Sequence, residues 1–341
     1  MERIFYKAII FCSNPLTGYY RFENKFQIYP LLSENAPKHD KIKMYPVVIE
    51  YHVQKEVQID VPEVLQELQG FIAKHTHSQN YQRQIRNLLS AVTNYWFYFP
   101  PAEFHWFIEI PNGDLTDEIK DELDKQSSKV GMTSFSFPEM LQENVISKFT
   151  DTGLPQIEFI KHPECFMDID IDGVKEVKFP NYTDVAINNF FALDDEARET
   201  VNSAASLISN GVELRTKMRS LSFISFVSSI ETMVNYEFKG VPIDACNNCG
   251  QPRYKVVKKF KDYLAKYASN SSSTKKEVDK IYSLRSTIAH TGLLLLGDNK
   301  IDWSNDKKQN EQWQAHFQAM QISRLSLTNW LLMRGEQQAL Y

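Results

Sequence analysis

Apolar positions tend to alternate with polar ones early in the chain and recur at helical spacing later. Residues 3–11, 19–28 and 44–57 are rich in aromatic and β-branched side chains, with turn signals such as Asn14-Pro15 between them, which predicts three strands. The spacing then changes, and residues 61–74 and 79–92 fit helices, the first opening with Pro62. Two aromatic strand candidates follow at 95–99 and 104–110. The first part of the chain is therefore predicted to mix strands and helices.

Residues 111–180 have a weaker pattern. A short acidic helix is expected at 116–125. Residues 165–178 alternate apolar and acidic positions, which favours a half-exposed strand that ends in a hairpin at Asp172-Gly173. A calcium loop is a poorer explanation, because Phe179 stands where its bidentate glutamate is needed.

From about residue 185 the pattern is helical throughout. Helices are predicted at 185–207, 214–238, 253–268, 275–291 and 311–333, with Thr274 and Glu277 as a capping box before the fourth. The second of them carries an apolar stripe wide enough for a bundle. The fold class is therefore predicted as α+β, with a mixed domain over residues 1–180 and an all-α helical bundle over residues 181–341.

Composition narrows the class of protein. Hydrophobic residues make up 43% of the 341-residue chain and charged residues 24%, as is typical of a water-soluble globular protein. No apolar run is long enough for a membrane span, and the N-terminus lacks the features of a signal peptide. Four cysteines are too few for a disulfide framework, which indicates reduced thiols and a cytoplasmic location.

Charge is unevenly distributed. Residues 181–341 hold 20 basic and 17 acidic side chains, whereas residues 1–180 have a net charge of −8. Residues 253–285 alone contain ten basic residues and three acidic ones. This surface suits a polyanion such as RNA, and Arg253, Lys255, Lys258 and Lys259 are the candidate contacts. A solvated surface of two helices remains the alternative.

The helix predicted around residues 280–292 carries Arg285 and His290. With Ile288 at the centre of the core face, Arg285 lies about 60° away and His290 about 200° away. The histidine is thus expected to be exposed or to face another subunit. Such a histidine can donate or accept a proton, and a nearby arginine can bind phosphate. Together they could cleave RNA without a metal or cofactor, provided that a two-fold dimer supplies a second histidine. The alternative is a histidine that only caps the carbonyls at the end of its helix, while Arg285 makes a surface ion pair.

The run IYSLRSTIAHTG at 281–292 resembles the signature of the HEPN superfamily, in its Apea-like branch. The segment FVSSIETMVNYEF, which contains Glu231, resembles the second bundle helix of that branch, and CNNCGQPRYKVVKKF resembles the loop that enters the third. The resemblance covers roughly residues 190–335 and implies a small helical bundle that dimerises. It implies a metal-independent endoribonuclease of antiphage defence or toxin–antitoxin-like stress responses, with RNA as substrate.

Carried over to this chain, the resemblance places Arg285 and His290 at the catalytic positions, with Ser286, Glu231 and Tyr282 in support. Many active members have Asn, Asp or His where this chain has Ser286. An inactive dimerisation or ligand-binding module is therefore the alternative function, and RNA binding without cleavage is a third. Residues 1–180 resemble no known family and are a candidate sensor for a phage or cellular ligand, or a candidate substrate-recognition domain.

Two pairs of soft ligands stand apart from this helix. Cys246 and Cys249 form half of a zinc knuckle, and His162 and Cys165 are the other candidate pair. A tight loop with two free thiols explains the first pair better than a zinc site shared with the second, so no metal is assigned.

Overall fold

The computed structural model describes residues 3–32, 45–54, 69–99, 116, 118, 144–161, 174–241, 256–298 and 306–338. The fold is α+β, with a strand-rich N-terminal region and a helical C-terminal region. Two compact units are present. The first comprises Met1–Arg86, Tyr95–Ile160 and Ile169–Phe179, and the second comprises Asn87–Asn94, Lys161–Asp168 and Pro180–Tyr341. The main change of unit therefore falls at Phe179 and Pro180, but two earlier segments belong to the helical unit.

An antiparallel sheet forms the centre of the first unit. Its main path runs β2 (Tyr20–Phe22), β3 (Phe26–Pro30), β4 (Tyr45–Gln54), β1 (Arg3–Cys12) and β5 (Phe97–Tyr98), while β6 (Asn144–Ile146) also pairs with β1. Strands β1 and β4 pair along their full length, from Arg3 opposite Gln54 to Cys12 opposite Tyr45. A second, two-stranded sheet joins β7 (Phe159–Ile160) and β8 (Phe179–Pro180). The aromatic and β-branched residues that predicted these strands fill the buried positions of the sheet.

The region predicted as one strand at 19–28 is a hairpin. Strands β2 and β3 pair with Phe22 opposite Phe26, and the Lys25 N–H donates to the Phe22 carbonyl at 3.0 Å. Glu23 has a positive φ of 47° in the turn between them, which is uncommon for a residue other than glycine. The three consecutive polar residues at 23–25 were the sequence signal for this turn, and the alternation on either side concealed it.

A buried carboxylate attaches the segment after β6 to this sheet. Glu50 is fully buried in β4 and accepts hydrogen bonds from the Tyr29 hydroxyl (2.7 Å) and the Gln27 amide (2.6 Å). It also accepts bonds from the backbone N–H (2.8 Å) and the hydroxyl (2.5 Å) of Thr150. Four donors around one carboxylate compensate for its loss of hydration.

Helix α1 spans Gln69–Val92, so the break predicted between residues 74 and 79 is absent. The second unit contains α2 (Thr183–Ala192), α3 (Asp195–Leu214), α4 (Arg219–Glu237), α5 (Val256–Tyr267), α6 (Ser272–Thr291) and α7 (Asp306–Gln338). The predicted helix 185–207 is in fact two helices. Asp194 caps α3 by accepting from the Ala197 N–H at 2.8 Å, and its extended backbone interrupts the helical path.

Helices α3 and α4 pack closely because α3 has a glycine at the contact. A Cβ on Gly211 would lie 2.6 Å from the Phe226 ring, closer than carbon atoms approach without strain. The ring therefore lies directly against the α3 backbone. The stripe predicted on α4 is confirmed, since all its members are buried: Phe223, Phe226, Val227, Ile230, Met233 and Val234.

Glu237, the last residue of α4, joins three helices. Its carboxylate accepts from the Lys266 ammonium and the Tyr267 hydroxyl of α5, both at 2.7 Å. It also accepts from the Trp330 indole N–H and the Arg334 guanidinium of α7, both at 3.0 Å. The carboxylate is therefore a structural centre of the bundle.

Several predictions fall outside the described residues: the strand at 104–110, nearly all of the acidic helix at 116–125, most of the hairpin at 165–178, and the start of the helix at 61–74. Among the residues that the structure describes, no helix is long and apolar enough to cross a membrane.

Candidate active site

Helix α6 carries the candidate catalytic residues and has a defined cap at each end. The Ser271 side chain accepts from the Thr274 N–H at 3.2 Å, so Ser271 is the N-cap and the predicted role of Thr274 is wrong. The serine-rich run at residues 269–274 offered several residues of the same capping type. At the other end Gly292 adopts φ = 70°, and its N–H donates to the Ile288 carbonyl.

The core face of α6 agrees with the helical wheel in most positions. Val278, Ile281 and Ile288 are buried, Leu284 is half-buried, and His290 is exposed as predicted. Thr291 would lie about −60° from Ile288 on the same wheel, on the core side, but it is exposed. It is the last helical residue, and its hydroxyl instead donates to the Thr287 carbonyl at 2.6 Å. The end of α6 that carries His290 is thus open to solvent.

Arg285 is held by an ion pair with α4. Its Nη2 atom lies 3.1 Å from Oε2 of Glu231, and the two side chains are 26% and 17% exposed. Within the described residues Arg285 makes no other side-chain hydrogen bond, and Oε1 of Glu231 is buried without a partner. A guanidinium has further N–H donors beyond the one used here. The ion pair therefore fixes the arginine while leaving donors that an incoming phosphate could use.

Tyr282 and Ser286 occupy the same helix on either side of Arg285. The Tyr282 ring packs edge-on against Phe260 of α5, with 5.2 Å between ring centroids, so it helps to position α6 in the bundle. Ser286 is half-buried, and its hydroxyl has no hydrogen bond within the described ranges. Neither side chain contacts Arg285 or His290 through a hydrogen bond.

The basic run is partly neutralised by ion pairs. Lys261 pairs with Asp279 and Lys280 with Glu277, in addition to the Lys266 and Arg285 pairs described above. Among the predicted RNA contacts, Lys258 is exposed and the Lys259 ammonium lies 6.0 Å from the Phe238 ring centroid. Arg253 and Lys255 lie outside the described residues. The surface therefore offers less free positive charge than the sequence indicates.

The candidate zinc ligands Cys246, Cys249, His162 and Cys165 also lie outside the described residues. In the part of the chain that the structure describes, no group of three His, Cys, Asp or Glu side chains could hold a metal ion. Cys12 is a free thiol in the sheet, and burial raises its pKa to about 12, which makes it a poor nucleophile.

Two features of the second unit were not predicted from the sequence. Leu293 and Leu294 follow the end of α6 with exposed fractions of 65% and 40%, although they stood out in the sequence only as an aliphatic run. His316 is buried in α7, and its Nε2 lies 2.8 Å from the Ser222 hydroxyl of α4. It lies on the buried face of α7, where Ala319 and Met320 follow about one turn later.

Comparisons with protein-family models, with curated proteins and with solved structures find no match to this chain.

Proposed function

We propose that this protein is a metal-independent endoribonuclease that acts as a homodimer, with Arg285 and His290 of both copies at the site. The observation that carries the proposal is the open end of α6. His290 is exposed in its last turn, and Arg285 lies on the same helix, fixed by Glu231 and with further N–H donors that no described residue uses. An arginine that could bind a phosphate is thus held in place on the same helix as an accessible acid–base group.

The reaction needs two proton transfers and no external reagent. One imidazole removes the proton of the 2′-hydroxyl, and the resulting oxygen attacks the adjacent phosphorus. The bond from phosphorus to the 5′-oxygen breaks, and a second, protonated imidazole gives that oxygen its proton. The products are a 2′,3′-cyclic phosphate and a 5′-hydroxyl. Arg285 would stabilise the charge that develops on the phosphate oxygens.

Apolar side chains beside His290 support pairing with a second copy. Leu293 and Leu294 follow the helix directly, and the Leu295 N–H donates to the Ser220 hydroxyl at 2.7 Å. This bond brings the loop to the start of α4, where Met218 and Leu221 are 50% and 48% exposed. Exposed apolar side chains on two neighbouring segments of this kind favour an interaction surface. A two-fold axis through it would bring the two copies of His290 towards each other.

The decisive experiment is RNA cleavage in excess EDTA by wild type, His290→Ala and Arg285→Ala. Loss of one acid–base group is expected to lower the rate about 100-fold to 10,000-fold. His77→Ala, on α1, is the matched control and should cleave like wild type. An inert wild type, or a His290→Ala variant that cleaves equally well, would refute the enzyme proposal.

Quaternary structure provides a separate test. Leu293→Asp combined with Leu294→Asp is expected to convert a dimer to a monomer in light scattering and to abolish cleavage together with dimerisation. A wild-type chain that is monomeric at the concentrations of the cleavage assay would contradict the composite site.

An inactive module that dimerises and binds a ligand is the second candidate. The observation that favours it is the ion pair itself, because Arg285 already has a carboxylate partner in Glu231, and Ser286 follows it. Overexpression distinguishes the two functions. An RNase should be more toxic than its Arg285→Ala variant, whereas an inactive module should show no difference.

A further inference from the structure

Three helices of the second unit meet at the Ser222 hydroxyl. This oxygen donates to the Gly211 carbonyl of α3 at 2.5 Å and lies 2.8 Å from the His316 imidazole of α7. Ser222 itself is in the first turn of α4 and is fully buried. The end of α3, the start of α4 and the first third of α7 are thus fixed relative to one another at this point.

Two arginines lie about one helical turn from this point. Arg215 is four residues after Gly211, and Arg219 is three residues before Ser222, so each is placed near the face that its helix turns towards the meeting point. Both are half-buried, and neither guanidinium has a hydrogen bond or ion pair within the described residues. The Arg219 Nη1 atom lies against Gly297, 3.3 Å from where a Cβ would stand.

A carboxylate at this end of the bundle, that of Asp298, forms no ion pair with either arginine in the structure as described. Asp298 uses one oxygen for the Arg219 N–H at 2.9 Å and the other for the Ser220 N–H at 2.7 Å, and so caps α4. Burial and the charges of Arg215 and Arg219 together lower the pKa of His316 to about 4, against a smaller opposing effect of Asp298. Two guanidinium charges therefore act on one largely neutral imidazole, partly offset by one carboxylate.

We propose that Arg215 and Arg219 form a binding site for a backbone phosphate of the RNA strand, outside the catalytic pair. Guanidinium groups bind phosphate oxygens through paired N–H donors, and two such groups with no carboxylate partner among the described residues are suited to one anion. This inference rests on the proposed function for the identity of the ligand, while the observation on the two arginines is independent of it.

The position of the arginine pair connects it to the candidate active site. His290 and Leu295 are five residues apart, so they are separated by at most about 18 Å, and the Leu295 N–H bonds to Ser220, next to Arg219. One RNA strand could therefore place one phosphate at Arg285 and another at Arg215 and Arg219. These two arginines would then set the direction in which the RNA lies and contribute to its affinity for the protein.

The test is binding of a fluorescent single-stranded RNA to the full chain, with His290→Ala in every sample to prevent cleavage. Arg215→Gln with Arg219→Gln is expected to weaken binding about tenfold to a hundredfold and to reduce the salt slope by about 1. Lys239→Gln is the matched control. It removes a cation beyond the other end of α4, about 28 Å away, and should change the affinity little. If the double glutamine variant does not fold, Arg215→Lys with Arg219→Lys replaces it. This variant should still weaken binding, because a lysine ammonium lacks the paired N–H donors of a guanidinium.

A second arm identifies the source of the phosphate. Inorganic phosphate should shift the NMR signals of the His316 ring in the His290→Ala protein and should not do so in the double glutamine variant. If phosphate shifts His316 but the arginines leave RNA affinity and salt slope unchanged, the RNA assignment is overturned. Cleavage by wild type with a normal KM in the double variant would refute this site and leave the nuclease standing. If wild type does not cleave RNA but RNA binding depends on the two arginines, the nuclease proposal is refuted and this binding site stands.

Discussion

The carboxylate of Glu237 gives a sharp test of how the bundle is held together. Glu237→Gln keeps the shape of the side chain but replaces one acceptor oxygen with an amide NH₂. Each oxygen now accepts two hydrogen bonds, one from a buried group (the Tyr267 hydroxyl or the Trp330 indole) and one from a cation. Whichever oxygen the NH₂ replaces, it would face two hydrogen-bond donors and could accept from neither.

The magnitude follows from which donors are buried. Tyr267 and Trp330 are 3% and 1% exposed, and a buried donor left without an acceptor costs about 1–3 kcal/mol. Lys266 and Arg334 are 50% and 34% exposed, so water compensates for most of their lost contact. We expect the free energy of unfolding to fall by about 2–3 kcal/mol at neutral pH.

The pH dependence has a definite sign. Burial acts to raise the pKa of Glu237, but hydrogen bonds from Lys266, Tyr267 and Trp330, with the charge of Lys266, outweigh it and lower the pKa. The stabilisation is therefore present above the ordinary glutamate pKa of about 4.3 and is lost as the pH falls through the lower folded value. The difference between wild type and Glu237→Gln should narrow on acidification.

The assay is urea unfolding followed by far-UV circular dichroism, which reports mainly on the helical unit. Glu196→Gln is the control, since it removes an ion pair with Lys239 in which both side chains are well exposed, and it should leave the midpoint unchanged. Equal loss in the two variants, or no loss in Glu237→Gln, would refute the account of Glu237 as a structural centre.

Three further predictions follow from buried contacts. Gly211→Ala should lower the stability by about 1–2 kcal/mol, because overpacking against Phe226 outweighs the gain in helix propensity; in thermal unfolding, the exposed control Asn210→Ala should show no such loss. His316 should stay neutral in NMR titrations down to about pH 5. The protein should lose about 3 kcal/mol of stability as the pH falls from 6.5 towards 4, because only the unfolded chain binds that proton readily. The loss should be smaller in His316→Asn. Glu50→Gln should accelerate hydrogen exchange of the Thr150 amide, which would lose its carboxylate acceptor, and unchanged exchange would contradict the proposed attachment.

Three of the incorrect predictions from the sequence share a physical cause. The turn at residues 23–25 and the corner at Asp194 were not predicted, and a break was predicted within the continuous helix α1. In each case the apolar periodicity of the flanking segments was right. Periodicity reports which side of an element is apolar, and it holds no information on whether the chain reverses between two apolar segments. Cap and turn residues provide that information only weakly, because a serine or an aspartate is common in many other places.

The amino-acid sequence alone determined the class of each half, the apolar stripe of α4 and the exposure of His290. Each depends only on local spacing, which the backbone geometry of helices and strands converts directly into a face. The tertiary structure decided the pairing of Arg285 with Glu231, the four donors around Glu237 and the lack of a partner for Arg215 and Arg219 among the described residues. These join residues far apart in the chain, so they are set by how helices pack. Local periodicity does not specify that packing.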